Sequence, residues 1–140
     1  MLNDNDNMIN SVIEIIKHKN IDVINIGKNI SKYDKRITYA ADVSPNQFIY
    51  LFNKASYVIT NSFHGTAFSI IFDKKFLIFG NGKLNSRMET LLKGFSLEDK
   101  LIDEGVSFDK QLKIIDKDNA INYNCDYIRN SKNFLNSILK

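Results

Sequence analysis

Two short stretches of this chain gather groups that can handle an anion. The first, Asn61-Ser62-Phe63-His64-Gly65-Thr66, places two hydroxyls, an imidazole and a glycine directly after the apolar stretch at 57–60. Glycine lets the backbone approach an oxyanion closely, amides at a helix start donate to it, and His64 can donate a hydrogen bond or a proton. Ser62 stands where a helix cap would complete the turn. The second stretch, residues 80–87, ends in Ser86 and Arg87. Arg87 falls in the first turn of a helix that Ser86 can cap, a place where the helix dipole disfavours a cation. A guanidinium beside free helix amides makes a fork for carboxylate or phosphate, and Lys83 in the same loop is placed to close over a ligand. Two such loops at neighbouring strand ends call for a small molecule carrying phosphate or carboxylate.

Each of these residues also has an ordinary role. A histidine at a strand-to-helix turn is more often a structural hydrogen-bonder than a catalyst. Arg87 has Glu89 and Glu98 as candidate surface ion-pair partners. His18 reads as a solvated helix end, and Cys125 as core on the apolar stripe of the last helix. Asp116 and Asp118 have the spacing of a DxD metal motif, but a two-residue match in a charged loop is too weak to define a site. No metal site is expected.

The elements that must hold these loops are readable from periodicity. Ile9, Val12, Ile13 and Ile16 recur at helical spacing, with Ser11 and Glu14 in capping-box spacing, which predicts a helix over 7–19. Short β-branched stretches at 21–26 and 36–41 predict two strands, with loop between them. Ser44, Pro45 and Gln47 fit the cap, first and third positions of a helix that carries Phe48, Leu51, Phe52 and Ala55 on one face. A strand at 57–60 leads into the His64 loop, and residues 66–72, apolar around most of their circumference, predict a buried helix. A further strand is expected at 75–79. Beyond Ser86, Met88, Leu91 and Leu92 point a helix inward until Gly94 stops it. Residues 96–102 read as one more helical turn. Ile121, Cys125, Ile128, Leu135 and Leu139 set out a long amphipathic helix from residue 118 onward. Strands of four to six residues alternating with helices predict a Rossmann-like α/β fold, a parallel sheet with helices on both faces. In such sheets the ligand crevice lies beyond the carboxyl ends of the strands.

Composition bounds the rest. The 140 residues, 44% hydrophobic and 25% charged, suit one globular domain. Nineteen Lys plus Arg against sixteen Asp plus Glu leave a net +3 without long like-charge runs, which argues against nucleic-acid binding. A single cysteine excludes an internal disulfide and suits a reducing compartment. The apolar stretches fall far short of the ~20 residues that a membrane span requires, and the Asn- and Asp-rich start lacks the pattern of a signal peptide, so a cytoplasmic protein is expected.

From residue 55 to residue 102 the sequence becomes specific. ASYVITNSFHGTAFSIIFDKKFLIF, followed by NSRMETLLKGFSLEDKLI, resembles the carboxyl-terminal half of the polysaccharide pyruvyl transferase family. The resemblance implies one Rossmann-like half of a two-domain, GT-B-type transferase, with residues 1–140 a single domain and a fragment of a longer enzyme. It implies transfer of pyruvyl from phosphoenolpyruvate to a sugar hydroxyl pair, as a ketal, in bacterial cell-surface or exopolysaccharide synthesis, with release of phosphate. His64 corresponds to the family histidine that binds or protonates phosphoenolpyruvate, and Arg87 to an arginine that holds an anionic group. Ser62, Gly65 and Thr66 match the loop around the histidine. Asn61 and Lys100 depart from the family pattern, where aspartate and arginine are common. No cofactor is implied beyond the donor substrate. A saccharide acceptor and either a further amino-terminal domain or a second copy that completes the sheet are the implied partners, and the chain by itself is expected to be weakly active or inactive.

Two other functions fit the residues. One is the nucleotide-sugar-binding half of a GT-B glycosyltransferase, in which Glu89 serves the ribose. The other is a non-catalytic anion-binding module whose affinity changes little when His64 becomes alanine.

Overall fold

The computed structural model describes residues 4–80, 86–121 and 125–138. The chain opens with helix α1 (Asp4–Lys19) and alternates through β1 (Val23–Ile26), β2 (Ile37–Ala40), α2 (Pro45–Lys54), β3 (Tyr57–Thr60), α3 (Phe63–Ile71) and β4 (Lys75–Phe79). It continues with α4 (Ser86–Phe95), β5 (Leu101–Ile102), α5 (Phe108–Asp116) and α6 (Asp126–Ile138). Among the described residues all strand pairs are parallel. One ladder joins β1 to β2, and the other runs β3-β4-β5.

β4 shows most directly why the fold is layered. Its residues Phe76, Leu77, Ile78 and Phe79 are all buried, and successive side chains of a strand point to opposite faces. Phe76 and Ile78 pack with Ile70 of α3 and with Met88 and Leu92 of α4. Leu77 and Phe79 pack with Ile15 of α1, Ile102 of β5 and Ile115 of α5. Helices therefore cover both faces of this parallel sheet, as a Rossmann-like α/β fold requires. A third cluster joins Ile9, Val12 and Ile16 of α1 to Ile37 of β2. Between α2 and α3, the rings of Phe48, Phe52 and Phe68 lie 4.8 to 5.6 Å apart.

Helix starts and stops follow local chemistry, with several differences from expectation. The capping box at α2 is complete: the Gln47 amide donates to Ser44 Oγ, and the Ser44 amide donates to the Gln47 side chain. Ser11 and Glu14 start nothing, because α1 begins at Asp4 and Ser11 is buried within it. α3 is less enclosed than its composition suggests. Its buried residues are mostly small (Gly65, Thr66, Ser69 and Ile70), while Ile71 is exposed.

α4 also runs on to Phe95 and does not stop at Gly94. Gly94 serves another purpose, since a Cβ there would lie 2.7 Å from the Tyr127 ring of α6. The left-handed Ser96 (φ 56°) ends the helix instead. Beyond it a single 3-10 turn, Glu98–Lys100, leads into β5, so only part of 96–102 is helical. α6 begins at Asp126 and buries none of its residues, and Cys125 just before it is half-buried, its thiol donating to the Gly94 carbonyl at 3.7 Å. No helix among the described residues is long and apolar enough to cross a membrane.

Candidate active site

β3 ends at Thr60, and the chain turns at once into α3. Thr60 Oγ1 accepts a bond from the Ser62 amide at 3.1 Å. Ser62 is the N-cap of α3, its Oγ accepting from the Gly65 amide at 2.9 Å. The Ser62 carbonyl accepts from both the amide and the hydroxyl of Thr66, each at 3.0 Å. One turn further on, Ser69 Oγ donates to the Gly65 carbonyl at 2.7 Å. The turn is thus tied to the strand before it and to the helix after it.

Gly65 is required by space. A Cβ at this position would sit 2.2 Å from Thr60 Oγ1 and 2.9 Å from Thr60 Cβ. The start of α3 lies against the end of β3 more closely than any side chain permits. The Gly65 and Thr66 amides are engaged by Ser62, which leaves those of Phe63 and His64 as the outward donors of the first turn. The Thr66 hydroxyl is fully buried and bonded to backbone, so Gly65 and Thr66 build the turn while His64 stands exposed on it.

Phe63 joins the two loops singled out in the sequence. The ring of His64 meets it edge-on, with centroids 5.9 Å apart and planes at 82°. From α4, the Arg87 guanidinium carbon lies 5.4 Å from the same ring centroid, within cation–π range. Phe63 itself packs against the cluster of Ile70, Phe76 and Met88. An imidazole and a guanidinium therefore flank one anchored aromatic ring at the amino end of α3. Ser86 is the first helical residue of α4, one position inside the place expected of a cap, and its carbonyl accepts from the Thr90 hydroxyl at 2.8 Å. Lys83 lies outside the described residues.

No residue pattern signals a second opening, at the carboxyl ends of β4 and β5, lined from α1 and α5 and by Phe79 and Ile102. Its walls depend on α5 and β5, neither of which was anticipated.

A strand end, a tight glycine turn and a helix start carrying an imidazole thus meet at the carboxyl end of β3 on a Rossmann-like scaffold. The family model for polysaccharide pyruvyl transferase matches residues 2–83, more than half of the chain. The protein belongs to the polysaccharide pyruvyl transferase family. The match takes in the whole His64 turn and extends well upstream of residue 55, while Arg87 lies beyond its end. Searches of curated proteins and of solved structures gave no match.

Proposed function

We propose that this chain supplies the donor-binding half of an enzyme that transfers pyruvyl from phosphoenolpyruvate to a pair of sugar hydroxyls. The observation that carries the reading is the convergence of His64 and Arg87 on the Phe63 ring, in a member of a pyruvyl transferase family. Phosphoenolpyruvate carries a carboxylate and a phosphate. Arg87 offers a fork for one of them, and the Phe63 and His64 amides at the positive end of α3 suit the other.

His64 serves as the acid. As a sugar hydroxyl attacks the enol carbon, the methylene takes a proton from the imidazole and becomes methyl, and the proton of the attacking hydroxyl returns to the imidazole. A second hydroxyl then displaces phosphate at the same carbon and closes the ketal, and its proton leaves with phosphate. Charge on the departing phosphate is met by the helix start and the guanidinium. Ser62, Gly65 and Thr66 contribute by holding the turn, and Lys83 and Ser86 belong to the loop and helix start beside Arg87.

The test is a titration of phosphoenolpyruvate into the purified chain, following the His64 ring signals by NMR with His18 as internal reference. A saturable shift at His64, lost in His64→Ala and Arg87→Ala, supports the reading. No shift at millimolar ligand, or tighter binding of uridine diphosphate, overturns it.

A further inference from the structure

We infer that the sheet takes one further parallel strand between β1 and β3, supplied by polypeptide leading directly into α1, and that this strand forms the second wall of the His64 crevice. Among the described residues β1 pairs only with β2, and β3 only with β4, so each presents a free edge. The Val23 amide donates to the Arg36 carbonyl on the β2 side, and backbone groups alternate between the two edges of a strand. The amides of Ile24 and Ile26 therefore point to the other edge, towards no strand among the described residues.

Handedness sets these two free edges against each other. α2 and α3 pack together through Phe48, Phe52 and Phe68, on the face of the sheet that α4 also covers. Parallel crossovers are right-handed, so α2 moves the chain from β2 to β3 in the same direction as α3 moves it from β3 to β4. Ile30, in the connection from β1 to β2, is buried against α1 on the opposite face, which makes that step run the other way. The order across the sheet is then β2, β1, β3, β4, β5, with the free edges of β1 and β3 facing.

α1 bridges the two ladders. Its Ile9, Val12 and Ile16 pack with Val23 and Ile37 of one, its Ile15 with Leu77 and Phe79 of the other, and Ile59 of β3 touches both clusters. A helix with its side chains is about 10–12 Å across, which matches the roughly 9.6 Å between two strands that flank a third. Val23 faces α1, so Ile24 and Ile26 face away from it and are 55% and 40% exposed, although parallel strands are ordinarily covered on both faces. The strand that fits is short, β-branched and uncharged on both faces. α1 also fixes its source. Asn7 and Asn10 line the same cavity as Gly80, at the carboxyl end of β4, whereas Lys19 stands over the Tyr57 ring at the amino end of β3. α1 thus runs antiparallel to the strands, and a parallel strand between β1 and β3 ends where α1 begins. Strand, α1 and β1 then form one right-handed βαβ unit.

The position gives this strand a part in the site. Chain order reverses there, with β1 and β2 on one side and β3 to β5 on the other, and open α/β sheets form their ligand crevice at such a reversal. β3 delivers the His64 turn, and the carboxyl end of the added strand would lie about 4.8 Å from that of β3. Its turn into α1 then faces the His64 turn across the crevice. The part in donor binding rests on the proposed role of His64, and the seating of the strand does not.

The test is the full chain extended before residue 1 by a designed strand of about five alternating Val and Ile residues and a short Gly-Ser turn. A control extension carries proline at the middle of the strand, which central strands do not accept. Amide exchange followed by NMR should slow about ten-fold or more at Ile24, Ile26 and alternate residues of β3 in the extended chain, and not in the control. Equal exchange at those amides in parent, extended and control chains overturns the inference. So does slowing confined to β2 or β5, or slowing in the parent chain that tracks dimerisation in ultracentrifugation, which would make a second copy the source. Phosphoenolpyruvate is titrated into the same samples, and the extended chain should bind it about five-fold more tightly than the parent. Slowed exchange without any response at His64 supports the strand and sinks the donor reading. A response at His64 without slowed exchange overturns the strand and leaves the donor reading standing. A seated strand that leaves an existing response unchanged overturns its part in the crevice.

Discussion

The guanidinium carbon of Arg87 stands 5.4 Å from the centroid of the Phe63 ring, although the two residues come from separate helices, α4 and α3. The contact holds the Arg87 guanidinium over the ring. Phe63 is held by the core beneath it, so the ring serves as a platform that keeps the cation near His64.

Phe63→Leu keeps apolar packing and removes the π face. An exposed cation–π contact contributes about 0.5–1 kcal/mol, which corresponds to a loss of phosphoenolpyruvate affinity of about two- to five-fold. Thermal stability should change little. Affinity measured by calorimetry that equals the parent value would show that the ring has no part in placing Arg87.

Gly65→Ala should be far more damaging than a glycine-to-alanine change in an ordinary helix, where alanine is favoured. The new Cβ would meet Thr60 Oγ1 at 2.2 Å, and overpacking of this kind costs about 1–3 kcal/mol. Adding Thr60→Ala should restore only part of the loss in urea denaturation. It removes the hydroxyl but leaves a Cβ at 2.9 Å, and it strips the Ser62 amide of its acceptor. Full stability in the single variant would mean that α3 can draw back from β3 without cost.

How far the fold and the site can be read in advance follows from where each determinant lies. Ser44, Pro45 and Gln47 act within one turn, so the start of α2 is legible from three residues. The bounds of β3 and β4 are legible because each is a short apolar stretch between polar loops. Gly94 misleads because its reason is the Tyr127 ring, a contact between distant parts of the chain. α5 escapes because Gln111 occupies its buried face, and β5 because two residues make no pattern. The His64 turn is thus legible and the cavity on the other face of the sheet is not, since α5 and β5 are both needed to enclose it.

Lys100 is buried to 1% exposure, and its role is structural. Its Nζ donates to the carbonyls of Ile114 and Lys117, both at 2.9 Å, closing the end of α5. Burial lowers its pKa, yet two carbonyls at a helix C-terminus favour the ammonium. Lys100→Met keeps most of the stem and leaves both carbonyls without this donor, at a cost of about 1–3 kcal/mol. Lys100→Ala adds a cavity and should cost more. Equal midpoints for the two variants in urea would show that packing of the stem contributes nothing.

The carboxylate of Asp116 ties the ends of three elements together. It accepts from Lys19 Nζ at 2.7 and 2.8 Å and from the Tyr57 hydroxyl at 3.3 Å, joining α5 to α1 and β3. The Lys19 hydrogen bonds hold its pKa below the ordinary carboxylate value, against the opposing effect of burial. A carboxylate with a lowered pKa in the folded state adds stability that is complete above its unfolded pKa, about 3.9, and is lost as pH falls through the lower folded value. Asp116 is about half exposed, so screening limits the pair to about 0.5–1 kcal/mol. Asp116→Asn should therefore lower the urea midpoint at pH 7, and its deficit against the parent should shrink below about pH 4. A deficit that stays constant from pH 7 to pH 3 would place the effect in the geometry of the hydrogen bonds and not in the charge.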